Sequence, residues 1–180
     1  MVYVLLGTGF EEIEAMTPVD LLRRAGVEVT TVGLNGKIVY GSHAIGVEAD
    51  ISIEELEVAD AEMMVLPGGL GGVASIRGCT QALEAVKAVY GAGKYVAAIC
   101  AGPTVLADLG LLTGVQATCY PGQIPNMTDA RIAENAACVT DGKIITGTSA
   151  GTAVPFALAL IDALTGPEAA RAIAEQIVLR

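Results

Sequence analysis

Short apolar runs that stop on glycine or a turn, each followed by a helical pattern, constrain this chain more than any other feature. Val2 to Leu6 ends at Gly7 and leads into a helical pattern from Glu11 to Ala25 that closes on Gly26. Val27 to Gly33 is a second, β-branched strand, and Met63 to Leu66 is stopped by Pro67-Gly68-Gly69. After a loop from Leu70 to Cys79 and an amphipathic helix from Gln81 to Tyr90, the strand Lys94 to Ile99 meets a tight turn and then a helix from Pro103 to Leu109. Strands that alternate with helices of about 10 to 15 residues imply an α/β fold. The architecture expected is a doubly wound, mostly parallel sheet sandwiched by helices, with ligands beyond the carboxyl ends of its strands.

The remaining segments fit that plan. Asn35-Gly36 and Gly41 punctuate a polar, hairpin-like excursion from Lys37 to Val47. Gln116 to Tyr120 reads as a short strand before an irregular loop rich in Pro, Gly and Asn. Asp141-Gly142 is the strongest hairpin signal in the chain and joins Ala137–Thr140 to Lys143–Thr146. Helices at Thr152 to Leu164 and Pro167 to Val178 follow. Hydrophobic residues make up 53% and charged residues 17%, so many elements are expected to be covered on both sides. Residues 1–180 are expected to form one domain.

Charge and cysteine usage exclude several functions. The net charge is −10, and no basic cluster exists beyond Arg23-Arg24, which argues against nucleic acid or an anionic membrane as partner. The first apolar stretch has no basic leader and stops at Glu11, so no signal peptide is expected; the uncharged run Ile144 to Ile161 is broken by Gly147, Gly151 and Pro155. Cys79, Cys100, Cys119 and Cys138 never form Cys-x-x-Cys, so neither a zinc site nor a disulfide lattice is expected, and a reducing cytoplasm is the natural location.

Three loops leave the ends of candidate strands, and their residues carry the chemistry. Cys100 sits between strand and helix, where unpaired N–H groups and the helix dipole favour the thiolate; the alternative is a small buried hydrophobe. Gly7-x-Gly9 begins like a dinucleotide fingerprint, yet Glu11, Glu12 and Glu14 would repel a pyrophosphate, and Gly68 to Gly72 lacks a following Lys-Ser/Thr. Gly68 and Gly69 suit an oxyanion hole shared with the Ala101 amide, or else only close a tight strand exit. Glu14 lies among Ile13, Ala15 and Met16: half-buried it would hold its proton and shuttle it, whereas Glu is more often a solvated carboxylate. Tyr120 could border the crevice or be packing, and His43, the only histidine, reads as a surface residue.

Several segments together resemble the ThiJ/PfpI superfamily, and more narrowly its YajL and Parkinson disease protein branch. They are Glu14 with Pro18-Val19-Asp20 and Arg23-Arg24-Ala25-Gly26, Leu66-Pro67-Gly68-Gly69, Ala97-Ala98-Ile99-Cys100-Ala101-Gly102-Pro103, and Gly151-Thr152 before Phe156-Ala157-Leu158. The resemblance implies a flavodoxin-like sandwich, a homodimer, an oxidation-prone nucleophile at Cys100 and Glu14 as its protonated partner. It further implies action without metal or coenzyme on α-oxoaldehydes such as methylglyoxal and glyoxal, or on their adducts, of the glyoxalase or deglycase type. Gly68, Gly69, Ala101 and Tyr120 would border the substrate. The same thiol could instead serve an oxidative-stress sensor or chaperone-like protein. Protease-like members carry His directly after the Cys; Ala101 stands there, so peptidase activity is not expected.

Overall fold

The computed structural model describes residues 1–180. In chain order the elements are β1 (Val2–Leu6), α1 (Glu12–Arg24), β2 (Val29–Gly33), β3 (Ile38–Tyr40), β4 (Gly46–Glu48), β5 (Ile51–Ser52), β6 (Met63–Leu66), α2 (Leu70–Gly78) and α3 (Thr80–Gly91). Then come β7 (Tyr95–Ile99), α4 (Pro103–Asp108), β8 (Gln116–Ala117), β9 (Arg131–Ile132), β10 (Cys138–Asp141), β11 (Ile144–Gly147), α5 (Ala153–Thr165) and α6 (Pro167–Gln176). One seven-stranded sheet runs β10-β11-β7-β6-β1-β2-β5. Every neighbouring pair is parallel except the β10–β11 hairpin at the edge. The β3–β4 hairpin and the β8–β9 pair stand outside it.

Strand alternation divides the core between two layers of helix. Tyr3, Leu5, Met64, Leu66, Val96 and Ala98 pack on the side of α2, α3 and α4, whose Ile76, Val86 and Leu106 are fully or almost fully buried. Val2, Val4, Leu6, Val65, Ala97 and Ile99 point the other way, against Leu22 of α1 and Phe156 and Leu160 of α5. Each buried Val, Leu, Ile, Met or Phe among them contributes about 1.5–3 kcal/mol by leaving water, which explains why the central strands are apolar on both faces. The chain proceeds outward from β1 through β2 and β5, then returns to the opposite side of β1 with β6. That reversal sets the carboxyl ends of β1, β6 and β7 around one crevice.

Besides the short strands β5 and β9, which were not expected, two expected elements take another form. Residues 70 to 78 form a helix and not a loop, because the glycines there answer a packing demand: a Cβ at Gly72 would lie 2.7 Å from Phe10 Cα, and one at Gly71 3.0 Å from the Thr8 carbonyl. The expected strand from Gln116 to Tyr120 stops at Ala117, since the Thr118 amide donates to Thr146 Oγ1 at 2.9 Å and the Tyr120 amide to the Cys100 carbonyl at 2.9 Å. No helix is long and apolar enough to cross a membrane.

Candidate active site

The turn after β7 is strained in the way a reactive elbow requires. Cys100 holds φ at +64°, a conformation that L-residues adopt at a cost of about 1–2 kcal/mol. Its own amide donates to the Gly147 carbonyl at 3.0 Å, its carbonyl accepts from Tyr120, and the Gly102 amide donates to Ile99 at 2.9 Å. These three bonds hold the strained residue in place. Gly102 is obligatory, because a Cβ there would come within 2.5 Å of the Leu66 carbonyl at the end of β6.

Glu14 sits in the first turn of α1 and is 1% exposed, against 54% for its neighbour Ile13. A local hydropathy pattern would have reversed that pair. The Gly68 amide donates to Glu14 Oε2 at 3.0 Å, and the Cys100 thiol and the Ala150 amide lie near enough to bear on the carboxyl's titration. Space for this meeting exists only because residue 68 lacks a side chain: a Cβ would stand 2.7 Å from Cys100 Cβ and closer still to Glu14 Oε2. Gly68 therefore departs from the expected oxyanion role, since it is buried and its N–H is engaged by Glu14.

Burial pushes the Glu14 carboxyl up to about 7, against hydrogen bonds from Cys100 and Gly68 that favour its anion. Burial also pushes the Cys100 thiol up to about 12, aided by the charge and hydrogen bond of Glu14, and the amides of Ala101 and Gly69 oppose this by favouring the thiolate. The expectation that the helix start would lower the thiol is thus corrected: the sulfur is half-buried beside an acid, and desolvation outweighs the local dipoles. Such groups titrate as a pair, the carboxyl giving up its proton well before the thiol.

A cavity of about 530 Å³ opens over the sulfur, bordered by Gly69, Ala101, Tyr120, Leu70 and, from the β3–β4 hairpin, Ser42 and His43. Gly69, with φ at +84°, fits only as glycine, because a Cβ would lie 2.7 Å from the Glu11 amide nitrogen. Tyr120 stands half exposed on the rim. His43 was not expected here: the sequence gives the hairpin but not where it folds, and Ser42 donating its amide to the Phe10 carbonyl at 2.7 Å draws the tip onto the β1–α1 loop. Glu11, Glu12 and His43 bring donor atoms within 4.8 Å of one another. In this structure the group is held together by hydrogen bonds, both Glu12 oxygens accepting from His43.

Residues 1–163 match the sequence profile of the DJ-1/PfpI family. Over 178 residues the chain is 35% identical to the protein dj-1beta of Drosophila melanogaster, spanning 98% of this chain and 95% of that protein. The crystal structure of Drosophila DJ-1beta is similar with a TM-score of 0.95 at 34% identity, covering 99% of this chain and 97% of that one. Oxidized Toxoplasma gondii DJ-1 is similar with a TM-score of 0.94 at 35% identity, covering 98% and 97%. A protein of Pyrococcus abyssi named a deglycase is 33% identical over 131 residues, 73% of this chain and 78% of its own length.

Proposed function

The chain belongs to the DJ-1/PfpI family, and from that premise we propose that it is a cofactor-independent cysteine enzyme acting on α-oxoaldehydes or their adducts, with Cys100 as nucleophile and Glu14 as proton carrier. The observation that carries this reading is the buried carboxyl, held at about 7, packed beside a thiol on a strained turn. An acid that titrates near the working pH gives and takes a proton with equal ease. The Pyrococcus relative named a deglycase supports the substrate class.

The reaction uses groups already described. Glu14 takes the thiol proton as sulfur bonds to the aldehyde carbon of methylglyoxal, and the amides of Gly69 and Ala101 hold the oxygen on which charge develops. Glu14 returns that proton to the oxygen, completing a hemithioacetal. As carboxylate again, it removes the proton from the same carbon and delivers it to the neighbouring one. The product is a thioester of a 2-hydroxy acid, which water hydrolyses. An adduct of the aldehyde with an amine enters the same sequence once the amine departs. Lactate formation from methylglyoxal by the purified protein tests this, and a Cys100→Ser variant with an undiminished rate contradicts it.

Homodimer formation belongs to the same proposal. Ile13 on α1 and Ile38, Tyr40 and Ile45 on the β3–β4 hairpin are each more than half exposed, an apolar set of the kind that marks an interaction surface. A second role for the thiol, as a peroxide sensor in a stress-protective or chaperone-like protein, is favoured by one observation: a relative at 35% identity is known in an oxidized form. Peroxide would convert Cys100 to a sulfinate, which a protonated Glu14 can stabilise by donating a hydrogen bond.

A further inference from the structure

We propose that His43, oriented by Glu12, is a second proton-transfer residue of the Cys100 cavity, serving the substrate oxygen that Glu14 and the amides of Gly69 and Ala101 do not serve. This rests on the α-oxoaldehyde reading above and extends it.

The imidazole is held at two points. Glu12 Oε1 accepts from the His43 amide at 2.8 Å, and Oε2 accepts from ring Nδ1 at 3.0 Å, with the Ser42 hydroxyl also 3.0 Å from Nδ1. Glu12 reaches the hairpin tip because residue 41 is glycine: a Cβ there would lie 2.7 Å from Glu12 Cγ. The tip is in turn tied to the β1–α1 loop by the Ser42 amide on Phe10 and the Gly9 amide on the Tyr40 carbonyl, both at 2.7 Å. With Nδ1–H donating to a carboxylate, Nε2 is the nitrogen without a protein partner, and it carries a proton to give when the ring is imidazolium. The ring is 69% exposed and lines the cavity that Cys100 and Tyr120 line.

Charge supports a donor at this place. Hydrogen bonding to Glu12 and the charges of Glu11 and Glu12 raise His43. Burial alone would raise Glu12, yet the bonds from His43 and Ser42 hold it down at about 2. The other titratable groups on the cavity are Glu11 on the same rim and Tyr120 and Cys100 beyond it, with Glu14 buried beneath the sulfur. The cavity of about 530 Å³ is bordered by Cys100 and by His43 and has room for a three-carbon adduct on the sulfur.

The step balances without an outside oxidant. Glu14 removes the proton from the sulfur-bearing carbon, that electron pair forms a carbon–carbon double bond, and the ketone π pair moves to its oxygen, which takes the Nε2 proton. Glu14 then protonates the former ketone carbon, the hydroxyl on the sulfur-bearing carbon becomes a carbonyl as Glu14 takes its proton, and solvent returns a proton to the exposed Nε2 as Glu14 releases its own to solvent. One carbon is oxidised and its neighbour reduced.

The test measures lactate formation from methylglyoxal against pH in wild type, His43→Gln, His43→Ala and Glu12→Gln, with iodoacetamide alkylation of Cys100 as a control independent of turnover. Expected are a kcat loss of about a hundredfold in His43→Gln with KM and Cys100 alkylation little changed, partial recovery of His43→Ala by added imidazole, and an alkaline limb that moves to lower pH in Glu12→Gln. Turnover within twofold of wild type in His43→Gln overturns this inference alone. So does a loss in His43→Ala that imidazole does not restore. A wild-type protein without turnover overturns it together with the α-oxoaldehyde reading.

Discussion

The Glu14 carboxyl and the Cys100 thiol meet across the place where residue 68 has no side chain, and the Gly68 amide donates to the same carboxyl. A methyl group at position 68 would overlap both partners. Gly68→Ala should therefore lose about 1–3 kcal/mol of stability by overpacking and slow lactate formation more than a hundredfold, a kcat effect read by steady-state assay.

Stability should depend on pH through Glu14. Its carboxyl is raised from 4.5 to about 7 in the folded state, so its protonated form favours folding fully below 4.5, and that contribution disappears as pH rises through about 7. The difference is on the order of 3 kcal/mol. Glu12 works in the opposite sense, contributing above 4.5 and losing its contribution as pH falls toward about 2. Urea denaturation of wild type and Glu14→Gln at pH 5 and pH 8.5 separates them: the wild type weakens between the two, whereas the variant changes far less.

The elbow strain is measurable apart from chemistry. Because Cys100 sits at φ +64°, Cys100→Gly should be more stable than Cys100→Ala by about 1 kcal/mol. Thermal unfolding of the two variants reads this directly, and equal melting temperatures contradict a strained turn.

Mild peroxide followed by intact-mass and peptide analysis should place the first two oxygens on Cys100. Cys119 is buried, whereas Cys100 opens onto the cavity and has Glu14 beside it to accept the thiol proton during attack. Oxidation of Cys79 before Cys100 removes the basis of the sensor role.

Charge placed on the exposed apolar set should separate a dimer. Sedimentation of Ile45→Lys and Ile13→Glu is expected to report monomer where the wild type reports dimer; a wild-type monomer ends that proposal.

The parallel sheet and the elbow at Cys100 were legible because both are local: apolar runs that end in glycine, and a thiol between strand and helix. The depth of Glu14 was not, since it depends on Gly68, far away in sequence but packed beside it. For the same reason α2 looked like a loop, its glycines being required by the approach of the Gly7–Phe10 segment and not by flexibility. His43 gave a hairpin and no location, because the bond that seats the tip runs to a main-chain carbonyl at Phe10. The direction of the Cys100 shift also escaped, since a helix start is visible in sequence and desolvation is not.

The rate of Cys100 alkylation by iodoacetamide across pH tests the coupling of Cys100 to Glu14 most directly. Burial and the neighbouring Glu14 charge together raise the thiol, which predicts a wild-type midpoint well above the ordinary thiol value of about 8.5, moved down in Glu14→Gln, where burial persists without that charge. A wild-type midpoint at the ordinary thiol value, unmoved by Glu14→Gln, contradicts it.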